Sequence, residues 1–175
     1  SESIVNLTNL TDLHLRNNEF TILPESIENL ITEIHFENNK FKTNINIKVD
    51  KNIVGELNCI LLDKFCRTNT NLTTLNLSWN QLTILPKSIG NLTNLTELDL
   101  DYNQLKSLPE SIENLTHLTT LNLSENELTT LSSSLWNLKR LTTLNVNDNQ
   151  LTSLPESIGN LTHLTELYLS NNDLT

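Results

Sequence analysis

One eleven-residue pattern that returns at a constant interval limits the folding of this chain more than any other feature. The stretch Leu72-Thr73-Thr74-Leu75-Asn76-Leu77-Ser78-Trp79-Asn80-Gln81-Leu82 aligns in register with blocks ending at Leu105, Leu128, Leu151 and Leu174, as L-x-x-L-x-L/V-x-x-N-x-L. A second half follows the blocks ending at Leu82, Leu105 and Leu151: Leu85-Pro86-Lys87-Ser88-Ile89 is echoed by Leu108-Pro109-Glu110-Ser111-Ile112 and Leu154-Pro155-Glu156-Ser157-Ile158. In L-x-L the leucines alternate with polar residues, the signature of a short strand with one buried face. Such a strand is stable only when neighbours stack on it, and stacking builds a parallel sheet over a continuous Leu core.

The remaining repeat positions read as turns. Asn18, Asn39, Asn80, Asn103, Asn126, Asn149 and Asn172 stand where the chain leaves each strand, and an amide there can satisfy backbone groups that the turn leaves unpaired. A ladder of asparagines inside the turns is expected. Pro24, Pro86, Pro109 and Pro155 open the return segments, where a fixed φ favours a turn and then a short helix or 3₁₀ turn on the outer face. Ser132 replaces proline in one copy, so that outer segment is expected to differ.

The rhythm breaks towards the N-terminus. Leu10 to Phe20 and Ile31 to Phe41 are two further copies at a slightly tighter spacing, and the step from Ile34 to Leu75 is then nearly as long as two regular repeats. That interval holds one repeat plus an insertion, or two imperfect repeats. Ile47-Lys48-Val49 and Asn52-Ile53-Val54 fit the strand pattern, and Gly55 to Asn71 reads as an amphipathic helix with Leu57, Ile60, Leu61, Lys64 and Phe65 at helical spacing. The step from Ile34 to Ile47 is little more than half of a regular one such as Leu75 to Leu98, too short for a full coil, so Lys42 to Asn46 reads as a distorted link or a bulged excursion.

These motifs resemble the leucine-rich repeat family in its short intracellular type with L-P-x-S-I-x-N-L, with one longer ribonuclease-inhibitor-like repeat at about 47–74. The resemblance implies an α/β solenoid: a right-handed horseshoe with a parallel concave sheet, and short helices, 3₁₀ turns and loops on the convex side. The expected organisation is a single domain over 1–175, with short repeats at 1–41, an irregular or helical insertion at 42–71 and regular repeats at 72–175. For function the resemblance implies protein interaction, because a fold does not by itself specify an activity.

Charge narrows the partners. The formal charge is −10 and the sequence pI about 4.7, the wrong sign for nucleic acid or an anionic membrane. No apolar run approaches the roughly 18 residues of a membrane span. Residues 40–67 are an exception, locally basic at net +3, and are expected to bend the solenoid or protrude from it, with a binding role open to them.

Residues flanking the inward leucines form columns on the concave face. One runs Asn17, Asn38, Lys51, Trp79, Tyr102, Glu125, Asp148, Asn171, and another His14, His35, Lys48, Asn76, Asp99, Asn122, Asn145, Tyr168. Trp79 and Tyr102 are predicted neighbours, with Glu97, Asp99 and Asp101 on the strand of Tyr102. The repeat demands none of these, and exposed aromatics are what binding hot spots use. Carboxylates select a basic partner. The candidate site is therefore Trp79, Glu97, Asp99, Asp101, Tyr102 and Glu125, facing a protein with a basic patch.

Other chemistry reads as structural. His14 and His35 beside Asp12, Glu33 and Glu37 fall short of a metal site, and Arg16 pairing Glu37 is the simpler reading. His117 and His163 follow from repeat position. Cys59 and Cys66, on the order of 10 Å apart along a helix, lie beyond disulfide reach and are expected as buried free thiols. The Asn-x-Ser/Thr triplets at Asn71, Asn91, Asn94 and elsewhere are by-products of the repeat. With 3 Gly, no phosphate loop, nucleophile elbow or H-E-x-x-H is present, so no catalytic residues, cofactor or metal are expected.

The reading is a non-enzymatic protein-binding module, with a recognition domain of a larger enzyme, such as a ubiquitin-ligase effector or a Roco-type GTPase, as the alternative. The cytoplasm is the expected compartment, or a host cell if the protein is a secreted effector, since cysteine-rich caps are lacking. The chain starts and stops within coils that carry no cap, which predicts a segment of a longer repeat protein or self-association through the ends.

Overall fold

Alternating triplets of two apolar residues around a polar one become seven three-residue strands in the structure, a computed structural model that describes residues 12–14, 33–35 and 62–175. They are β1 (Asp12–His14), β2 (Glu33–His35), β3 (Thr74–Asn76), β4 (Glu97–Asp99), β5 (Thr120–Asn122), β6 (Thr143–Asn145) and β7 (Glu166–Tyr168). All neighbours pair in parallel, in chain order, as one sheet. The central leucines lie in register, Leu75 opposite Leu98, then Leu121, Leu144 and Leu167.

Stacking places those side chains in one continuous core. Leu75, Leu98, Leu121 and Leu144 are 0% exposed, and the cluster runs unbroken from Leu62 to Leu161. Burying each such leucine stabilises the fold by about 1.5–3 kcal/mol. Leu167 of β7, which pairs on one side only, is 38% exposed.

The asparagine ladder forms as the spacing predicts. Asn126 Nδ2 donates to Leu100 O, Leu123 O and Ser124 O at 3.0, 3.1 and 3.0 Å, while its Oδ1 accepts from Leu105 N at 2.9 Å. Asn103, Asn149 and Asn172 repeat this, each amide tying its own turn to the coil before it. A second ladder has no counterpart in the sequence reading. The hydroxyls of Thr96, Thr119, Thr142 and Thr165 donate to the carbonyls of Thr73, Thr96, Thr119 and Thr142 at 3.0, 2.9, 2.9 and 3.1 Å, just before each strand.

The convex side carries five-residue 3₁₀ helices at Lys87–Asn91, Glu110–Asn114, Ser133–Asn137 and Glu156–Asn160. Pro86, Pro109 and Pro155 precede three of them with φ of −68°, −68° and −74°, the value the proline ring imposes. The segment after Ser132, expected to differ, keeps the same helix. Ser132 replaces the rigid ring with a cap, its Oγ accepting from Ser134 N and meeting Ser134 Oγ at 2.6 Å.

A helix covers 62–68, within the stretch 55–71 expected to be helical. Leu62, Phe65 and Cys66 are buried at i, i+3 and i+4 spacing, and Ser88 Oγ donates to Asp63 O at 3.1 Å to seat the helix on the next coil. Cys66 is a fully buried thiol, and Cys59 lies outside the described residues.

One expectation needs correction. β2 pairs directly with β3, His35 opposite Asn76, so Lys48 and Lys51 do not stand between them in the concave columns. The reason is length: the step from Ile34 to Ile47 is little more than half of the step from Leu75 to Leu98 and cannot complete a coil, so the whole stretch from Ile34 to Leu75 serves one strand-to-strand step. Residues 42–46 and 47–54 lie outside the described residues, as do Asn18, Asn39, Pro24, Arg16 and Glu37. His14 and His35 are register partners, and the structure describes their backbone alone.

Two substitutions test this packing. Asn126→Ala leaves Leu105 N–H and several carbonyls without their partner, and should lower unfolding free energy by about 3 kcal/mol in a denaturant titration. Gly90→Ala puts a Cβ 2.5 Å from Ser111 O, a backbone atom of the next convex turn, and should cost roughly 1–3 kcal/mol by overpacking.

Candidate functional site

Each of the five turns leaving β3 to β7 holds one residue in the left-handed region: Trp79, Tyr102, Glu125, Asp148 and Asn171 have φ of 55°, 50°, 51°, 55° and 56°. A backbone ladder sets this geometry, with Trp79 N donating to Asp101 O at 2.9 Å, Tyr102 N to Ser124 O at 3.1 Å and Asp148 N to Ser170 O at 2.9 Å. Asn and Asp tolerate that conformation well, whereas Trp, Tyr and Glu enter it at a cost of roughly 1–2 kcal/mol per residue. Sequence periodicity groups these residues in a column but gives no sign of their φ, except that Asp148 and Asn171 are the types that suit it.

The predicted neighbours do meet. The rings of Trp79 and Tyr102 stack with centroids 3.6 Å apart and planes 13° from parallel, while Trp79 remains 51% exposed and Tyr102 38%. The repeat places them one coil apart, and their shared backbone conformation aims both side chains the same way. Stacking of this kind contributes about 0.5–1.5 kcal/mol.

Carboxylates surround the pair. The Tyr102 hydroxyl donates to the Glu125 carboxylate, and this bond, then the negative charge of Glu125, then burial and the charges of Asp101 and Asp148, hold the phenol above its ordinary pKa of 10.0. Half-buried Asp101 accepts from Ser124 Oγ at 2.6 Å. Burial raises its pKa above the ordinary 3.8 with help from the charge of Asp148, against the hydrogen bonds from Ser124 and Tyr102 N–H. Asp99 accepts from Asn76 Nδ2 at 3.2 Å and from Asp101 N at 3.1 Å, so it mainly organises its own strand.

Glu97 stands apart. It pairs in register with Thr74 and Thr120 at the far end of β4, about 15 Å back from the turn of Tyr102 at the usual rise of a strand. The compact group is thus Trp79, Tyr102, Asp101 and Glu125, with Asp99 beside it. Asp148 and the buried Ser124 belong with it, though periodicity alone does not single them out. The position of Asp148 in the column of Tyr102 is the available signal for it.

Charge is segregated on this face. At the outward positions of the five coils from β3 to β7 stand Glu97, Asp99, Asp101, Glu125, Asp148 and Glu166, and no Lys, Arg or His. The ion pairs of Arg67 with Asp63 at 2.7 Å and of Lys106 with Glu127 at 3.7 Å lie off it. No group of three or more His, Cys, Asp or Glu among the described residues is arranged to hold a metal ion, and no helix among them is long and apolar enough to cross a membrane.

The folded chain holds the Asp101 proton more tightly than the unfolded chain does. Stability therefore falls as pH rises from 3.8 through the raised value, and at neutral pH the ionised carboxylate is a net cost. Asp101→Asn keeps an acceptor for the Ser124 hydroxyl and should melt at a higher temperature than the parent at pH 7. By circular dichroism that difference should vanish near pH 3.

Comparison with known proteins agrees with this architecture. A family model described as a leucine-rich repeat region matches residues 84–174, and two further leucine-rich repeat models match 61–105 and 9–30. No curated protein sequence matches the chain. Among solved structures it is similar to an internalin from Listeria monocytogenes, at 29% identity over 99% of this chain and 45% of that one, with a TM-score of 0.75. It is also similar to a leucine-rich repeat protein of Leptospira interrogans, at 34% identity over 98% of this chain and 46% of that one, with a TM-score of 0.73. A plant peptide hormone receptor in complex with RGF2 is similar at 27% identity over 99% of this chain and 30% of that one, with a TM-score of 0.69. The chain spans less than half the length of each of these three structures. Proteins of this fold are generally protein-interaction modules, and on its repeats, its sheet and these matches the chain belongs to the leucine-rich repeat family.

Proposed function

We propose that the chain binds a protein partner with a basic patch on its concave face, through Trp79, Tyr102, Asp99, Asp101 and Glu125, with Glu97 extending the acidic surface. The observation that carries this reading is the solvent-exposed Trp79–Tyr102 stack on a surface whose outward positions, over the five described coils from β3 to β7, bear six carboxylates and no cation. The fold has no need of these aromatics. They stand outside the leucine core and occupy a backbone conformation that Asn171, in the same column, fills more easily. Exposed Trp and Tyr in an otherwise polar setting are the residues on which binding energy concentrates. The reading includes a reducing, cytoplasmic compartment, because a chain with 2 Cys carries little of the disulfide bracing that oxidising compartments favour.

The test is affinity for a purified partner recovered with the intact chain. Trp79→Ala with Tyr102→Ala should weaken it by about 2 kcal/mol or more, roughly thirtyfold. Unchanged affinity would move the interface to another face.

A further inference from the structure

We propose that the Trp79–Tyr102 ledge takes an arginine side chain, rather than a lysine, from an extended basic segment of the partner. This rests on the reading that the concave face binds a basic protein, and it names the residue that the aromatic pair selects.

The acidic face alone asks for positive charge and does not distinguish the two cations. The aromatic pair does. Trp79 offers half of its surface to solvent, beside a second flat ring stacked 3.6 Å away. A guanidinium is planar and weakly hydrated, and it stacks on such a surface at a smaller desolvation cost than a compact ammonium. Its forked N–H groups can then bridge to carboxylates beside the ring, which the three hydrogens of a lysine cannot do in one plane.

The acceptors are in place. Trp79 N donates to Asp101 O, so the backbone of Asp101 lies directly opposite that of Trp79. The Asp101 carboxylate is half-buried, accepts from the uncharged Ser124 hydroxyl, and has no ion pair among the described residues. A cation stacked on the ring would supply the missing counter-charge to a carboxylate already partly removed from water. Glu125 continues the column one coil further, where its carboxylate is engaged by the Tyr102 hydroxyl, and Asp148 follows it. A second basic residue of the same segment meets these two.

The test compares octa-arginine with octa-lysine by calorimetric titration at low ionic strength. Trp79→Asn with Tyr102→Asn serves as the control, because asparagine already occupies this backbone position at Asn171 and a cooperative melting transition shows that the variant folds. Octa-arginine should bind the parent on the order of tenfold more tightly than octa-lysine, and the two should converge in the double variant. Glu125→Gln should weaken both peptides while preserving the order between them. Equal binding of the two peptides to the parent overturns the arginine assignment and leaves the basic-partner reading standing. A preference that survives in the double variant also overturns it. Failure of both peptides to bind the parent overturns the assignment together with the reading beneath it.

Discussion

The asparagine amide at the end of each strand is the interaction on which the rest of this structure depends. A parallel coil turns sharply as it leaves the sheet, and the turn points backbone carbonyls inward where water cannot reach them. Asn103, Asn126 and Asn149 answer that with one side chain each: three carbonyls accept from Nδ2, and Oδ1 takes an N–H of the preceding coil. The bond to the preceding coil makes the turn a joint between neighbours. Once the joints are in register, the leucines behind them must be too, and the core follows.

The same joint produces the candidate site. In the described coils from β3 to β7 the residue before the asparagine is held in the left-handed region, with its side chain presented on the concave rim. Each coil therefore displays one side chain in a fixed direction at a fixed spacing, whatever its chemistry. Where that residue is Asp148 or Asn171 the fold meets its own needs cheaply. Where it is Trp79 or Tyr102 the fold accepts strain and exposure, and the two rings pair across the coil spacing. The carboxylates are arranged by the neighbouring columns, with Ser124 reaching back one coil to hold Asp101 at 2.6 Å.

Much of this is legible in the sequence. A constant repeat register predicts that Trp79 and Tyr102 touch, that Asp101 and Glu125 flank them and that prolines open the convex turns, because each follows from counting along a periodic chain. Counting fails where distance along the strand matters. Glu97, Asp99 and Asp101 share a face, yet Glu97 stands at the opposite end of its strand from the aromatic pair. It fails again where a pattern match competes with chain length, as with Lys48 and Lys51, which drop out of the columns because β2 closes directly onto β3.

The sequence by itself determined the period, the inward leucines, the turn asparagines and the acidic sign of the concave face, since all of these are properties of residue type and spacing. Tertiary structure alone decided the left-handed backbone under the aromatic pair, the partial burial that raises the pKa of Asp101, the threonine ladder and the serine cap that stands in for proline at Ser132. Each of these depends on which carbonyl or hydroxyl of the adjacent coil lies within hydrogen-bonding reach. That is set only when the coils stack, because no single coil holds its own turn in place.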